Sequence, residues 1–128
     1  MTIRVVRLGT PRMRGEGTRI GTVRRPPRGV PKTEFASANW YDVWFPTLAP
    51  SLEIMKLGLA VATPAQGAAF VRKYTAEMGK PEAKHALELL AALSHSSDFS
   101  VGCYCEDEAR CHRSILRTLL RERGALME

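Results

Sequence analysis

Between Gly102 and Ser114 the chain reads Gly-Cys-Tyr-Cys-Glu-Asp-Glu-Ala-Arg-Cys-His-Arg-Ser, a stretch that holds all three of its cysteines and one of its three histidines. A cysteine acts through its thiolate, whose pKa falls at a helix N-terminus or beside a cation. If a strand ends near Tyr104 or Cys105, the two-residue period puts Cys103 and Cys105 on one face. Glu106 to Arg110 then form a loop, and Cys111-His112-Arg113 fill the first turn of a helix. Unpaired amides in that turn attract anions. The candidate catalytic residues are Cys105, Glu106, Cys111 and His112: a nucleophile or ligand in Cys105 or Cys111, an orienting carboxylate or base in Glu106, a proton relay in His112. Arg113 adds a cation. Glu106, Asp107 and Glu108 act the other way, repelling an anionic ligand or filling the anion site themselves. The sign of the local field is open at this level.

Three other readings of the same residues compete. Cys111 and Arg117 have the Cys-x5-Arg spacing of cysteine phosphatases, but Ser114-Ile115-Leu116 is helical core material and no Gly-rich cradle. Cys103, Cys105, Cys111 and His112 supply four nitrogen or sulfur donors within ten residues. The usual metal knuckle is Cys-x2-4-Cys, however, and the adjacent Cys111-His112 pair is expected to diverge, so no metal and no cofactor is expected. In the plainest reading Cys103 is core, Cys111 packs under the helix, and His112 and Arg113 cap it or face solvent. Cys103, inside a strand, is expected to be the inert thiol. His85 and His95 read as surface, Met55 and Met78 as core.

The bulk properties frame these candidates. At 128 residues the chain reads as one domain spanning 1–128, large enough for a core without staples. An odd number of clustered cysteines argues for reduced thiols. No apolar run approaches the ~20 residues of a membrane span, and Met1 to Arg7 lacks a secretory apolar segment. A cytoplasmic location with no membrane partner is the expectation. The net charge of +6 is uneven. Residues 1–32 carry nine basic side chains, eight of them Arg, against one acid; the remainder carries ten basic and twelve acidic residues. Arginine suits bidentate contact with phosphate or carboxylate, so this third of the chain points either to an anionic partner or to a solvated basic face.

The elements that must position these residues follow from periodicity and punctuation. Strands are predicted at Ile3–Leu8, Arg19–Arg24, Trp40–Phe45 and Phe99–Tyr104. Thr10 to Gly17 and the run Pro26-Pro27-Arg28-Gly29-Val30-Pro31 read as loops. Helices are predicted to start at Ser51, at Thr63-Pro64 with a stop at Gly79, at Pro81 with Leu87, Leu90 and Leu93 available for burial, and at Cys111 with a stop near Gly124. The fold class is α/β: a compact, mostly parallel sheet of about four strands flanked by helices.

Three pieces are similar to a known family. Trp44-x-x-x-Leu48-Ala49-Pro50-Ser51, Phe70-x-x-x-Tyr74-x-x-Glu77 and the Cys-Glu-x4-Cys-His-Arg segment resemble the bacterial domain-of-unknown-function 488 family, with its YeaO-like branch, over about 19–120. Members usually carry Val-Asp-Arg-Leu-Trp-Pro-Arg-Gly after the second strand. Here Val23 and Pro26 replace the Asp and the Trp, while Arg24, Pro27, Arg28 and Gly29 remain. Where members usually carry a basic residue two positions after the Trp of the aromatic motif, this chain has Pro46. The resemblance implies a compact α/β domain.

In a parallel sheet, ligands bind beyond the carboxyl ends of the strands. The second strand leads into Pro27-Arg28-Gly29 and the last into Cys105-Glu106. Arg28, Gly29 and Arg113 are therefore the candidate ligand-binding residues, with Arg28 and Arg113 clamping an anion beside Cys105 and Cys111. Two functions fit. One is a small enzyme or binding protein with a phosphate or carboxylate pocket at the cysteine segment. The other is a non-catalytic nucleic-acid-binding module using the N-terminal arginines; such binding is expected to be weak and sequence-independent, because no aromatic platform is interleaved with the charges. The first requires a pocket at the cysteines, the second a continuous basic surface. Oligomeric state is not fixed by the sequence.

Overall fold

The computed structural model describes all 128 residues. Four strands, β1 (Ile3–Arg7), β2 (Thr18–Gly21), β3 (Val43–Trp44) and β4 (Phe99–Cys103), form one sheet in the order β1-β4-β2-β3. Every pairing is parallel, with Ile3 opposite Phe99, Thr18 opposite Phe99 and Ile20 opposite Val43. Four helices accompany it: α1 (Leu52–Leu59), α2 (Pro64–Met78), α3 (Pro81–Leu93) and α4 (His112–Glu122). The α/β class and the parallel sheet are as the sequence predicts.

β4 lies between β1 and β2, and all five of its residues are buried. On one face Ile3, Phe99 and Val101 join Phe70, Tyr74 and Met78 of α2, Leu87 and Leu90 of α3, and Ile115, Leu116, Leu119 and Leu120 of α4 in one core. The residues of the other face, Arg19, Gly21 and Ser100, meet loops: Arg19 reaches Glu16, Thr10 and Asn39, Ser100 reaches Glu16, and Gly21 lies under the Tyr41 ring.

Local signals fix the helix starts. The Ser51 side chain accepts from the Ile54 amide at the head of α1. Thr63 and Gln66 form a reciprocal capping box before α2, with Pro64 in its first turn. Pro81 opens α3, and Gly79 ends α2.

Several expectations are corrected. The third strand shrinks from Trp40–Phe45 to Val43–Trp44, because Trp40 and Tyr41 turn inward to pack with Leu8, Val23, Cys103 and Cys111 in a second cluster. The second strand ends at Gly21 rather than Arg24, since Val23 joins that cluster and frees the chain from the ladder. Met55 is half-buried rather than core, and Leu93 is exposed. Of the nine basic side chains in residues 1–32, three are paired: Arg19 is buried against Glu16, Arg4 pairs with Glu128, and Arg12 with Asp42. No helix is long and apolar enough to cross a membrane.

Candidate functional site

Since all four strands run the same way, their carboxyl ends converge on one edge of the sheet. The chain leaves β1 through Leu8-Gly9-Thr10, β2 through Val23 and Arg24 to Arg28, and β4 through Tyr104 and Cys105. These segments, with Trp40, Pro50, Met55 and Leu59 opposite, enclose a cleft of about 720 Å³. Arg7, Arg24, Arg25 and Arg28 line it, and no acidic residue does. The Arg24 Nε atom is buried with no hydrogen-bond partner.

The cysteines form part of the wall. Cys103, Cys105 and His112 line the cleft, while Cys111 lies just behind. Cys103 Sγ and Cys111 Sγ are 3.1 Å apart, and the Cys105 amide donates to Cys103 Sγ at 3.3 Å. Protons are shared unequally. The sulfur neighbours Cys105 and Cys111, and then burial, push the Cys103 thiol far up. Hydrogen bonds from Cys103 and then Cys111 hold Cys105 down to about 3, against the opposing effect of burial and with help from the Arg113 charge. Cys111 is lowered by Cys103 and by His112. Cys105 is the one cysteine that is not buried.

Two residues absent from the sequence-level list organise this wall. Thr22, fully buried at the end of β2, presents its carbonyl oxygen 2.9 Å from His112 Nε2. A carbonyl can only accept, so the ring proton sits on Nε2 and Nδ1 faces Cys111 Sγ at 3.5 Å. Tyr74 packs edge-on against the same ring at 5.5 Å between centroids. The other is Arg24, with Arg7 and Arg25 beside it. All three appear in the sequence as part of a diffuse charge; their position, Arg7 at the last residue of β1 and Arg24 and Arg25 three and four residues past β2, together with the place of Arg24 in the family motif, is the signal of their role.

The predicted site residues divide into two groups. Arg28 and Cys105 do share the cleft. Cys111, His112 and Arg113 are buried; Arg113 Nη2 donates to the Cys105 carbonyl at 2.6 Å, and its Nε has no partner. Arg113 thus braces the loop that carries Cys105 and does not line the cleft. Glu106 is exposed and outside the lining, and Gly29 is exposed beside it in the Arg28 loop. The acidic loop lies outside the lining, and one of its charges is compensated: Asp107 accepts from the Ala109 amide, and Glu108 is paired with Arg117 at 2.9 Å. That pairing also turns Arg117 away from any Cys-x5-Arg cradle.

Contrary to the expectation that Cys111 and His112 diverge, the donor atoms of Cys103, Cys111 and His112 lie within 4.8 Å of one another. The sulfur pair at 3.1 Å is nevertheless closer than the roughly 3.7 Å that two thiolates need on a tetrahedral zinc. It has the spacing of a shared proton. Protein purified without chelator is expected to carry less than about 0.2 equivalents of zinc or iron by elemental analysis, whereas a true site would be stoichiometric. Near-stoichiometric metal that disappears in Cys111→Ser would contradict this.

Comparison with known proteins gives one match. The model of a family described as DUF488-N3a, the active DUF488-N3 subclade, covers residues 3–124. No curated protein and no solved structure matches the chain.

Proposed function

The chain belongs to the DUF488 family, in its N3a subclade, and from that premise we propose that it is an enzyme whose cleft seats the phosphate or carboxylate of a small substrate and presents Cys105 to it as the nucleophile. The observation that carries this reading is the lining of the cleft: four arginines and the low-pKa thiol of Cys105, with no carboxylate among them. Guanidinium groups bind oxyanions bidentately.

Each residue has a role. Arg7, Arg24, Arg25 and Arg28 hold the anion. Cys105 stands beside them as the nucleophile. The neighbouring Cys103 and Cys111 and the Arg113 charge favour the ionised form of Cys105, and His112, anchored on Thr22, orients Cys111. Arg113 holds the Cys105 backbone. The nucleic-acid-binding alternative calls for a continuous basic surface, and the pairing of Arg4, Arg12 and Arg19 with acidic residues weighs against it.

Iodoacetamide labelling with peptide mass spectrometry tests the assignment. Cys105 is expected to label at least about tenfold faster than Cys103 or Cys111 at neutral pH, because it is both the ionised and the accessible thiol. Millimolar pyrophosphate should slow that labelling, and Arg28→Ala should remove the protection. If Cys103 labels first, or if no anion protects Cys105, the reading fails.

A further inference from the structure

We propose that the substrate held in this cleft is a nucleotide: an aromatic base carrying at least two phosphoryl groups. The inference rests on the anion-binding reading above and sharpens it. Two features of the lining exceed what a simple phosphate or carboxylate requires.

The first is the quantity of charge. Arg7, Arg24, Arg25 and Arg28 bring four guanidinium groups with no carboxylate in the lining to offset them. None of the four takes part in a salt bridge, whereas Arg4, Arg12, Arg19 and Arg117 all do. One phosphate carries at most about two negative charges. Four unpaired cations on one cleft match a di- or triphosphate, and the buried, unpartnered Nε of Arg24 is a donor without an acceptor.

The second is the apolar side. Trp40, Pro50, Met55 and Leu59 also line the cleft, and Leu59 is 75% exposed. An inorganic anion leaves that surface wet. At about 720 Å³ the cleft falls within the range of roughly 300–1,000 Å³ typical of sites for whole organic ligands. A flat aromatic group joined to a polyphosphate satisfies both ends at once: the base covers the apolar wall while the phosphates meet the arginines.

The test is titration calorimetry of the full-length protein with four probes: ADP, inorganic pyrophosphate, adenosine and a single-stranded oligonucleotide. ADP is expected to bind at least about tenfold more tightly than pyrophosphate, with adenosine and the oligonucleotide weaker than both. Two exposed-side-chain variants, checked for folding by circular dichroism, separate the ends. Arg28→Ala should weaken ADP and pyrophosphate alike, and Leu59→Asp should weaken ADP about tenfold and leave pyrophosphate unchanged. Pyrophosphate binding as tightly as ADP would overturn the nucleotide inference and leave the anion-binding reading standing. An oligonucleotide binding more tightly than ADP would overturn it in favour of a nucleic-acid strand. Failure of every phosphate probe would overturn the anion-binding reading itself.

Discussion

Arg19→Met is expected to lower the stability of the protein by about 3–5 kcal/mol, read as a lower urea midpoint with an unchanged slope. The reason is what the substitution leaves behind. Arg19 and Glu16 are both buried, joined by Nε to Oε2 at 2.8 Å and Nη2 to Oε1 at 3.0 Å. Arg19 Nη1 also donates to the carbonyls of Thr10 and Asn39, at 2.8 and 2.7 Å. Without the guanidinium, a carboxylate and two carbonyls stay in the interior, short of partners. The penalty belongs to the uncompensated charge more than to the lost pair, so Glu16→Leu with Arg19→Met should recover a large part of the loss. A double variant as unstable as the single one would refute that account.

The same carboxyl sets an acid limit. Ser100, Arg19 and the Met13 amide all bond to Glu16, and together they outweigh its burial, holding it at about 2 against an ordinary 4.5. A folded-state pKa below the unfolded one gives stability that is present above the unfolded value and lost as pH falls through the folded value. The window is therefore about pH 4.5 down to about pH 2. The shift corresponds to about 3 kcal/mol. Glu16→Gln should flatten the stability profile across that window, and an unchanged acid transition in the variant would count against the assignment.

Fold and site differ in how far they could be read from the chain. The parallel α/β arrangement was legible because its signals are local: Ser51, Thr63 and Pro81 start helices, Gly79 ends one, and Phe99, Val101 and Cys103 alternate along β4. The cysteine segment was legible as a strand–loop–helix turn, and the meeting of Arg28 with Cys105 follows from two strand ends on one edge. The fate of the other arginines was not legible. Arg19 and Arg24 are five residues apart in one basic stretch, yet one is sealed against Glu16 and the other opens into the cleft. Which happens depends on Asn39, Thr10 and Asp42 arriving from loops, and no short-range pattern encodes that. The acidic loop was equally opaque: three carboxylates near an anion site look hostile until Arg117, nine positions beyond Glu108, is seen to neutralise one of them. The convergence of Cys111 and His112 depends on Thr22 from another strand fixing the imidazole.

Gly17→Ala tests the strand that ties these parts together. Gly17 precedes β2, and Asp98 precedes the β4 strand that pairs with it, so the two backbones meet where the ladder begins. A Cβ at Gly17 would come 1.9 Å from the Asp98 carbonyl oxygen, a backbone atom that cannot rotate away, and the residue also has φ +76°. Left-handed φ alone costs an L-residue about 1–2 kcal/mol. Gly15 isolates that part, since it has φ +78° and nothing within 4 Å of a new Cβ. Gly15→Ala should therefore cost about 1 kcal/mol, and Gly17→Ala about 4 kcal/mol or more, because the start of β2 must move off β4. The displacement carries beyond stability. β2 leads directly into Thr22, which positions His112, and the chain continues to Arg24 in the cleft. In whatever fraction stays folded, Cys105 should lose its labelling advantage over the buried thiols. Equal urea midpoints for the two alanine variants would mean that β2 and β4 are not packed as closely as this geometry requires.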